Sequence, residues 1–219
     1  MSVSFDIKWK SLGVISLIAV NLIILSFAIL FDWTLYDIIF SYWLENFVIG
    51  FYNIFKLYKV DGGNPEDHYV TVNGNKRYVP PIKTPFVIFF ILHFFAFWYI
   101  HGYFIQDQFN VHNLLYKTDY GYNFIKLLDW PTVIALTGLF ISHGVSYFKN
   151  FLRKKEYVGV AFSSQMWVPY KRIVIVHGIF WLVAMYSIHT TGSQPVLISF
   201  IIIGKILIDL KLYSNRHSA

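Results

Sequence analysis

Six ionisable side chains in otherwise apolar surroundings are the groups best suited to chemistry here: Glu45, His93, His143, His177, Lys205 and Asp209. Three imidazoles with one or two carboxylates make a suitable ligand set for Zn²⁺, with Fe or Cu as alternatives, because His nitrogen binds all three and a carboxylate completes the site. In that arrangement His93, His143 and His177 are the metal ligands. Glu45 is either a fourth ligand or the base acting on a metal-bound water, and Asp209 is a second catalytic carboxylate. A metal-bound water ionises near neutral pH, so the expected reaction is hydrolysis of a small or lipid-like substrate. There are no cysteines, which excludes thiolate ligands, disulfides and a cysteine nucleophile. No His-Glu-x-x-His, Gly-x-Ser-x-Gly or desaturase-type histidine box occurs, so convergence of these residues rests on the elements that carry them.

Those elements are membrane helices. Of 219 residues, 56% are hydrophobic and only 14% charged, against roughly 25% charged in soluble domains. A span needs about 20 apolar residues, and six segments qualify: 11–31, 35–58, 84–105, 132–152, 171–190 and 195–213. The fold class expected is all-α integral membrane, a six-transmembrane-helix bundle forming a single domain over 1–219, multi-pass in the plasma membrane with the lipid bilayer as its surroundings. Lys8 and Lys10, the 2–3 loop (Lys56, Lys59, Lys76, Arg77, Lys83), the 4–5 loop (Lys149, Arg153, Lys154, Lys155, Lys171, Arg172) and Lys211 with Arg216 concentrate positive charge at one side. That bias puts both termini in the cytoplasm. It also accounts for the net charge of +6 without a nucleic-acid partner. Lys8 and Lys10 precede an apolar run from Leu12 to Phe31 that lacks an Ala-x-Ala cleavage pattern, so it is expected as a retained first helix.

At 1.5 Å rise per residue, His93, His143 and His177 fall within about 5 Å of one plane. Glu45 lies slightly outside the midplane, Lys205 near it and Asp209 further toward the cytoplasm. Ionisable side chains at this depth cost roughly 2.5 kcal/mol or more, so they face the bundle interior and find partners. The same set also suits a proton or ion pathway in a transporter or channel, although no internal repeat and no Gly/Pro-broken pair of spans supports one. A haem-binding cytochrome is another alternative, pairing His93 with His177 and His101 with His189. The separations along the two helices, about 12 and 18 Å, do not match. Plain packing is the remaining explanation: Lys205 and Asp209 are four apart and can neutralise each other. His101, His143 and His177 are each followed by Gly, and Gly138 with Ser142 forms a small-xxx-small pair, both of which permit close helix approach.

Between helices, Tyr69–Val72 and Lys76–Val79 flank Asn73-Gly74-Asn75 and predict a small β-hairpin in the 2–3 loop, ended by Pro80-Pro81. Asn110–Leu128 is expected along the outer interface, and Glu156–Pro169 as an interfacial approach to the fifth helix. The segment Ser41-Tyr42-Trp43-Leu44-Glu45-Asn46-Phe47-Val48-Ile49-Gly50 with Asn53, together with His93, Ser142-His143-Gly144, Phe148, Asn150, Pro169-Tyr170-Lys171-Arg172, His177, Lys205 and Asp209, resembles an uncharacterised prokaryotic multi-pass membrane protein family, a domain of unknown function with a Tyr-Trp-x-Glu-Asn signature. The resemblance spans most of the chain. It implies a multi-pass membrane fold and no particular activity, and it marks the same polar residues that depth selects.

Overall fold

The computed structural model describes residues 12–31, 33–63, 69–78, 82–108, 117–118, 121–122, 130–189, 201–207 and 210. The described chain is mainly helical. Helix α1 covers Leu12–Leu30 and α2 covers Leu35–Lys59. The turn between them is fixed by a capping box: the Thr34 backbone N–H and hydroxyl both donate to the Asp37 carboxylate at 2.7 Å, and the Asp37 N–H returns to the Thr34 hydroxyl at 3.4 Å. This satisfies amides that the first helical turn would otherwise leave unpaired, and it puts a negative charge at the helix N-terminus, where the dipole favours it.

Helix α2 is the centre of the molecule. Its apolar window is 67% buried, against 22% in α3 (Thr84–Gln108) and 28% in α4 (Trp130–Ser146) with its extension. It packs against α3, α4 and α5 (Phe162–His189), while α1 packs against α4. Three described stretches, Leu35–Lys59, Thr84–Asp107 and Trp130–Leu152, are long and apolar enough to cross a membrane. The outward faces of α3 and α4 carry exposed Phe86, Phe89, Leu92, Ile100, Phe104, Val133, Ile134 and Ile141, the surface a lipid-facing helix presents.

Close approach sets the α2–α3 pair. A Cβ on Gly102 would come within 2.5 Å of the Trp43 indole, and one on Gly50 would overlap the Phe94 ring. Trp43 and Trp98 stack at 4.0 Å between centroids, and each indole N–H donates to the other residue's carbonyl at 2.9 Å. Two backbone carbonyls inside helices gain a second donor in this way, and the rings lie parallel between the helices. Gly144 serves the α2–α4 pair similarly, since a Cβ there would meet the Tyr52 hydroxyl, which donates to the Phe140 carbonyl at 3.0 Å.

Helix α4 ends in one π turn, Tyr147–Leu152, whose wider winding is seen in the bond from Arg153 N–H to the Phe148 carbonyl. The chain then leaves the helix through bonds from Lys155 N–H to Leu152 and from Glu156 N–H to Phe151, with Lys155 at φ 56°. This is a Schellman stop with lysine where glycine is usual, a conformation that costs an L-residue about 1–2 kcal/mol. Asp61 ties this loop to the end of α2 by accepting from Gly63 N–H at 3.4 Å and Gly159 N–H at 2.8 Å.

Helix α5 begins at Phe162, ahead of the start at 171 expected from sequence, and runs through Pro169. Proline forfeits one helical hydrogen bond. Burial on either side outweighs that loss: Phe162 stacks on Phe86 at 5.7 Å, and Met166, Tyr170 and Ile173 join a core of Leu57, Val87, Phe90 and Phe94. In the loop after α2, β1 (Tyr69–Val72) pairs antiparallel with β2 (Asn75–Tyr78) through Asn73 and Gly74, both at positive φ, 52° and 80°. A second, two-residue pair joins β3 (Lys117–Thr118) to β4 (Gly121–Tyr122). A helical stretch at 201–207, α6, places Ile201 and Ile202 in the core shared by α1, α2 and α4.

Candidate functional site

Glu45 sits in the middle of the central helix with its side chain 6% exposed. Its Oε1 accepts from Arg172 Nη2 at 2.6 Å and its Oε2 lies 2.8 Å from Lys205 Nζ. His143 Nε2 stands 3.5 Å from Oε1. Lys205 Nζ also donates to the Asn21 side-chain carbonyl at 2.8 Å and lies 4.8 Å from the centre of the Tyr42 ring. One carboxylate thus ties α2 to α4, α5 and α6, and through Lys205 to α1.

Burial differs within the cluster. Lys205 is 3% exposed, whereas the His143 side chain is 25% exposed. His143 therefore lies between the buried carboxylate and the surface. Tyr52 stacks beside it at 6.5 Å, and Tyr147 follows Tyr52 at 5.9 Å. Below this row, Gln165 donates to the Asn53 side-chain carbonyl at 2.6 Å, a second polar link from α2 to α5.

The residues selected from sequence divide between this cluster and other places. Glu45, His143 and Lys205 meet in it. His93 is exposed on α3, where its Nδ1 shares a 2.7 Å hydrogen bond with the Tyr170 hydroxyl and its ring stacks on Phe89 at 5.3 Å. His101 donates from Nδ1 to the Phe97 carbonyl one turn back, at 3.0 Å. The side chain of His177, within α5, and that of His189, at its end, lie outside the described residues, as does Asp209. Among the described residues no group of three His, Cys, Asp or Glu side chains is arranged to hold a metal ion. The glycine that follows each of three histidines also resolves case by case. Gly102 and Gly144 are close-approach positions, while nothing described lies within 4 Å of a Cβ at Gly178 or at Gly138.

Arg172, Asn21 and Gln165 were not foreseen in this role. Arg172 counts in the sequence as a cation flanking the 4–5 loop because the fifth span is expected to begin at 171. With α5 beginning at Phe162, Arg172 lies almost three turns into the helix. Asn21 had a signal that went unused, a lone amide in the apolar run of the first helix.

A buried carboxylate bonded to cations from two other helices, within a helical frame that includes three stretches able to cross a bilayer, defines a helical protein organised around an internal ion-pair network. The chain belongs to DUF6498, a family of unknown function whose model matches residues 6–219. No curated protein and no solved structure matches the chain.

Proposed function

We propose that the chain crosses the plasma membrane six times with both termini cytoplasmic, and that its Glu45 cluster is a proton-coupled site for an anionic solute. The observation that carries this is the bonding of one buried carboxylate to two cations, Arg172 and Lys205, with His143 on its more exposed side. Protonating Glu45 alone would strand two positive charges in an apolar interior, at a cost of about 3–5 kcal/mol for a broken buried pair. Protonation becomes favourable when a second anion takes the place of Glu45 at Arg172 and Lys205. Deprotonation returns both cations to Glu45 and expels that anion. His143 is placed to pass the proton, since an imidazole accepts on one nitrogen and releases from the other. The same exchange loosens and remakes the joints of α5 and α6 to α2, which is the two-state element a carrier needs.

A metal-dependent hydrolase with His93, His143, His177 and Glu45 as ligands is the competing assignment. His143 beside Glu45 favours it, and the charge around Glu45 opposes it. A divalent ion at Glu45 would sit within a few ångströms of two cations, and like charges repel strongly in a low dielectric.

Purified protein in liposomes loaded with a pH-sensitive dye decides between them, with phosphate and sulfate, which do not cross lipid unaided, as probe anions. Wild type is expected to acidify the lumen together with anion entry, Glu45→Gln to do neither, and His143→Ala to do both more slowly. Anion entry indifferent to the pH gradient, or unchanged in Glu45→Gln, would overturn the proposal. Roughly one zinc per chain, lost in His143→Ala, would replace it with a metal centre.

A further inference from the structure

At the end of the molecule where α2 and α4 stop and α3 starts, seven cations are described, and they divide into two groups. Lys56 lies 5.3 Å from the Phe151 ring centre, Lys59 5.0 Å from that of Tyr157, and Lys83 donates to the Tyr58 carbonyl at 3.0 Å. These three are engaged with the protein. Lys149, Arg153, Lys154 and Lys155 are exposed, and no described residue forms an ion pair or hydrogen bond with their side chains. The nearby acids do not neutralise them: both Asp61 oxygens accept backbone amides, and Glu156 is turned inward with one oxygen buried.

Position gives these cations a partner. They begin in and directly follow Trp130–Leu152, a stretch able to cross a bilayer, so they stand at the depth of lipid headgroups. Phe148 and Val158 beside them are 63% and 60% exposed, apolar groups suited to the acyl boundary just below. Asp61 and the Gly62–Val160 bond tie the loop to the end of α2.

Lys155 supplies an independent observation. It occupies a left-handed position, φ 56°, at the helix stop. Glycine would be more stable there, and a lysine's contribution to the helix dipole is available equally from Arg153 and Lys154. A strained backbone is kept at a residue whose distinguishing feature is its charge.

We infer that Lys149, Arg153, Lys154 and Lys155 form a binding surface for the phosphate of an anionic phospholipid of the surrounding bilayer. Positive charge that only orients the chain in the membrane would not distinguish one headgroup from another; this surface does. The inference is independent of the role of Glu45.

The test titrates the full-length protein in detergent micelles with short-chain phosphatidylglycerol or phosphatidylcholine and follows bound lipid by native mass spectrometry. Wild type is expected to bind phosphatidylglycerol preferentially. Each cation removed should weaken that binding about fivefold, so Arg153→Gln/Lys154→Gln/Lys155→Gln loses about a hundredfold with phosphatidylcholine binding unchanged. Lys155→Gly separates charge from fold: it should lose about fivefold in phosphatidylglycerol binding while its melting temperature in phosphatidylcholine micelles holds or rises. Should the triple variant fail to fold, Lys155→Gly alone decides. Equal binding of the two lipids by wild type, or undiminished phosphatidylglycerol binding in Lys155→Gly, overturns the inference. Equally tight binding of inorganic phosphate would assign the surface to a soluble anion and overturn the lipid.

Discussion

Glu45 and Lys205 are both nearly sealed from solvent, so Glu45 depends on Lys205 and Arg172 for the charge it carries, and Lys205 depends on Glu45. Glu45→Ala removes the common partner of two buried cations and should destabilise the protein by about 3–5 kcal/mol, read as melting temperature in micelles. Lys205→Met alone should cost less, because Glu45 keeps Arg172. In the Glu45→Ala background Lys205→Met should recover part of the loss, since one stranded charge disappears and an apolar side chain takes the buried place beside the Tyr42 ring. Strictly additive losses in this cycle would show that the two residues are not energetically paired. His143, 3.5 Å away and partly exposed, contributes little to this balance. If the cluster acts as proposed, replacing His143 should slow coupled anion entry more than it lowers the melting temperature.

At the scale of elements, helix contact depends on where a side chain is missing. Gly102→Ala would drive a methyl into the Trp43 indole, which cannot retreat without breaking its stack on Trp98 and two hydrogen bonds of 2.9 Å. A loss of about 1–3 kcal/mol is expected from such overpacking. Gly178→Ala is the matched control, also within a helix but with nothing described within 4 Å of the new methyl. It should be neutral or stabilising by up to about 1 kcal/mol, the helix-propensity difference between the residues. Equal melting temperatures for the two variants would refute the assigned α2–α3 contact. The hairpin loop and the Schellman stop at Lys155 belong to this scale as well, because local backbone chemistry rather than helix packing fixes their shapes.

At the scale of the whole molecule, the charge bias and α4 make one joint prediction. The chain has no cysteine, so single cysteines report position without background. Trp130 and Val158, 61% and 60% exposed, lie at and beyond opposite ends of the stretch Trp130–Leu152. In intact cells a membrane-impermeant maleimide should label Trp130→Cys and should reach Val158→Cys only after permeabilisation. Labelling of both from outside would show that α4 does not cross, and the reverse pattern would invert the orientation.

The positions of most helical elements were legible along the chain, because an apolar run is a local property. The expected span 35–58 became Leu35–Lys59, and the Asn73-Gly74 pair sits at the turn between β1 and β2. The sequence also selected Glu45, His143 and Lys205, because an ionisable group in an apolar helix is conspicuous wherever that helix packs. Depth follows from 1.5 Å of rise per residue and can be counted along the chain. Rotation about the helix axis cannot, because it depends on which neighbours the helix meets. Rise per residue gives His93 and His143 a shared depth, yet His93 faces outward beside Tyr170 while His143 faces Glu45. Arg172 shows the same limit in another form. Only tertiary burial of Phe162 and Met166 carries α5 through Pro169, and that early start turns a loop cation into the principal partner of the buried carboxylate.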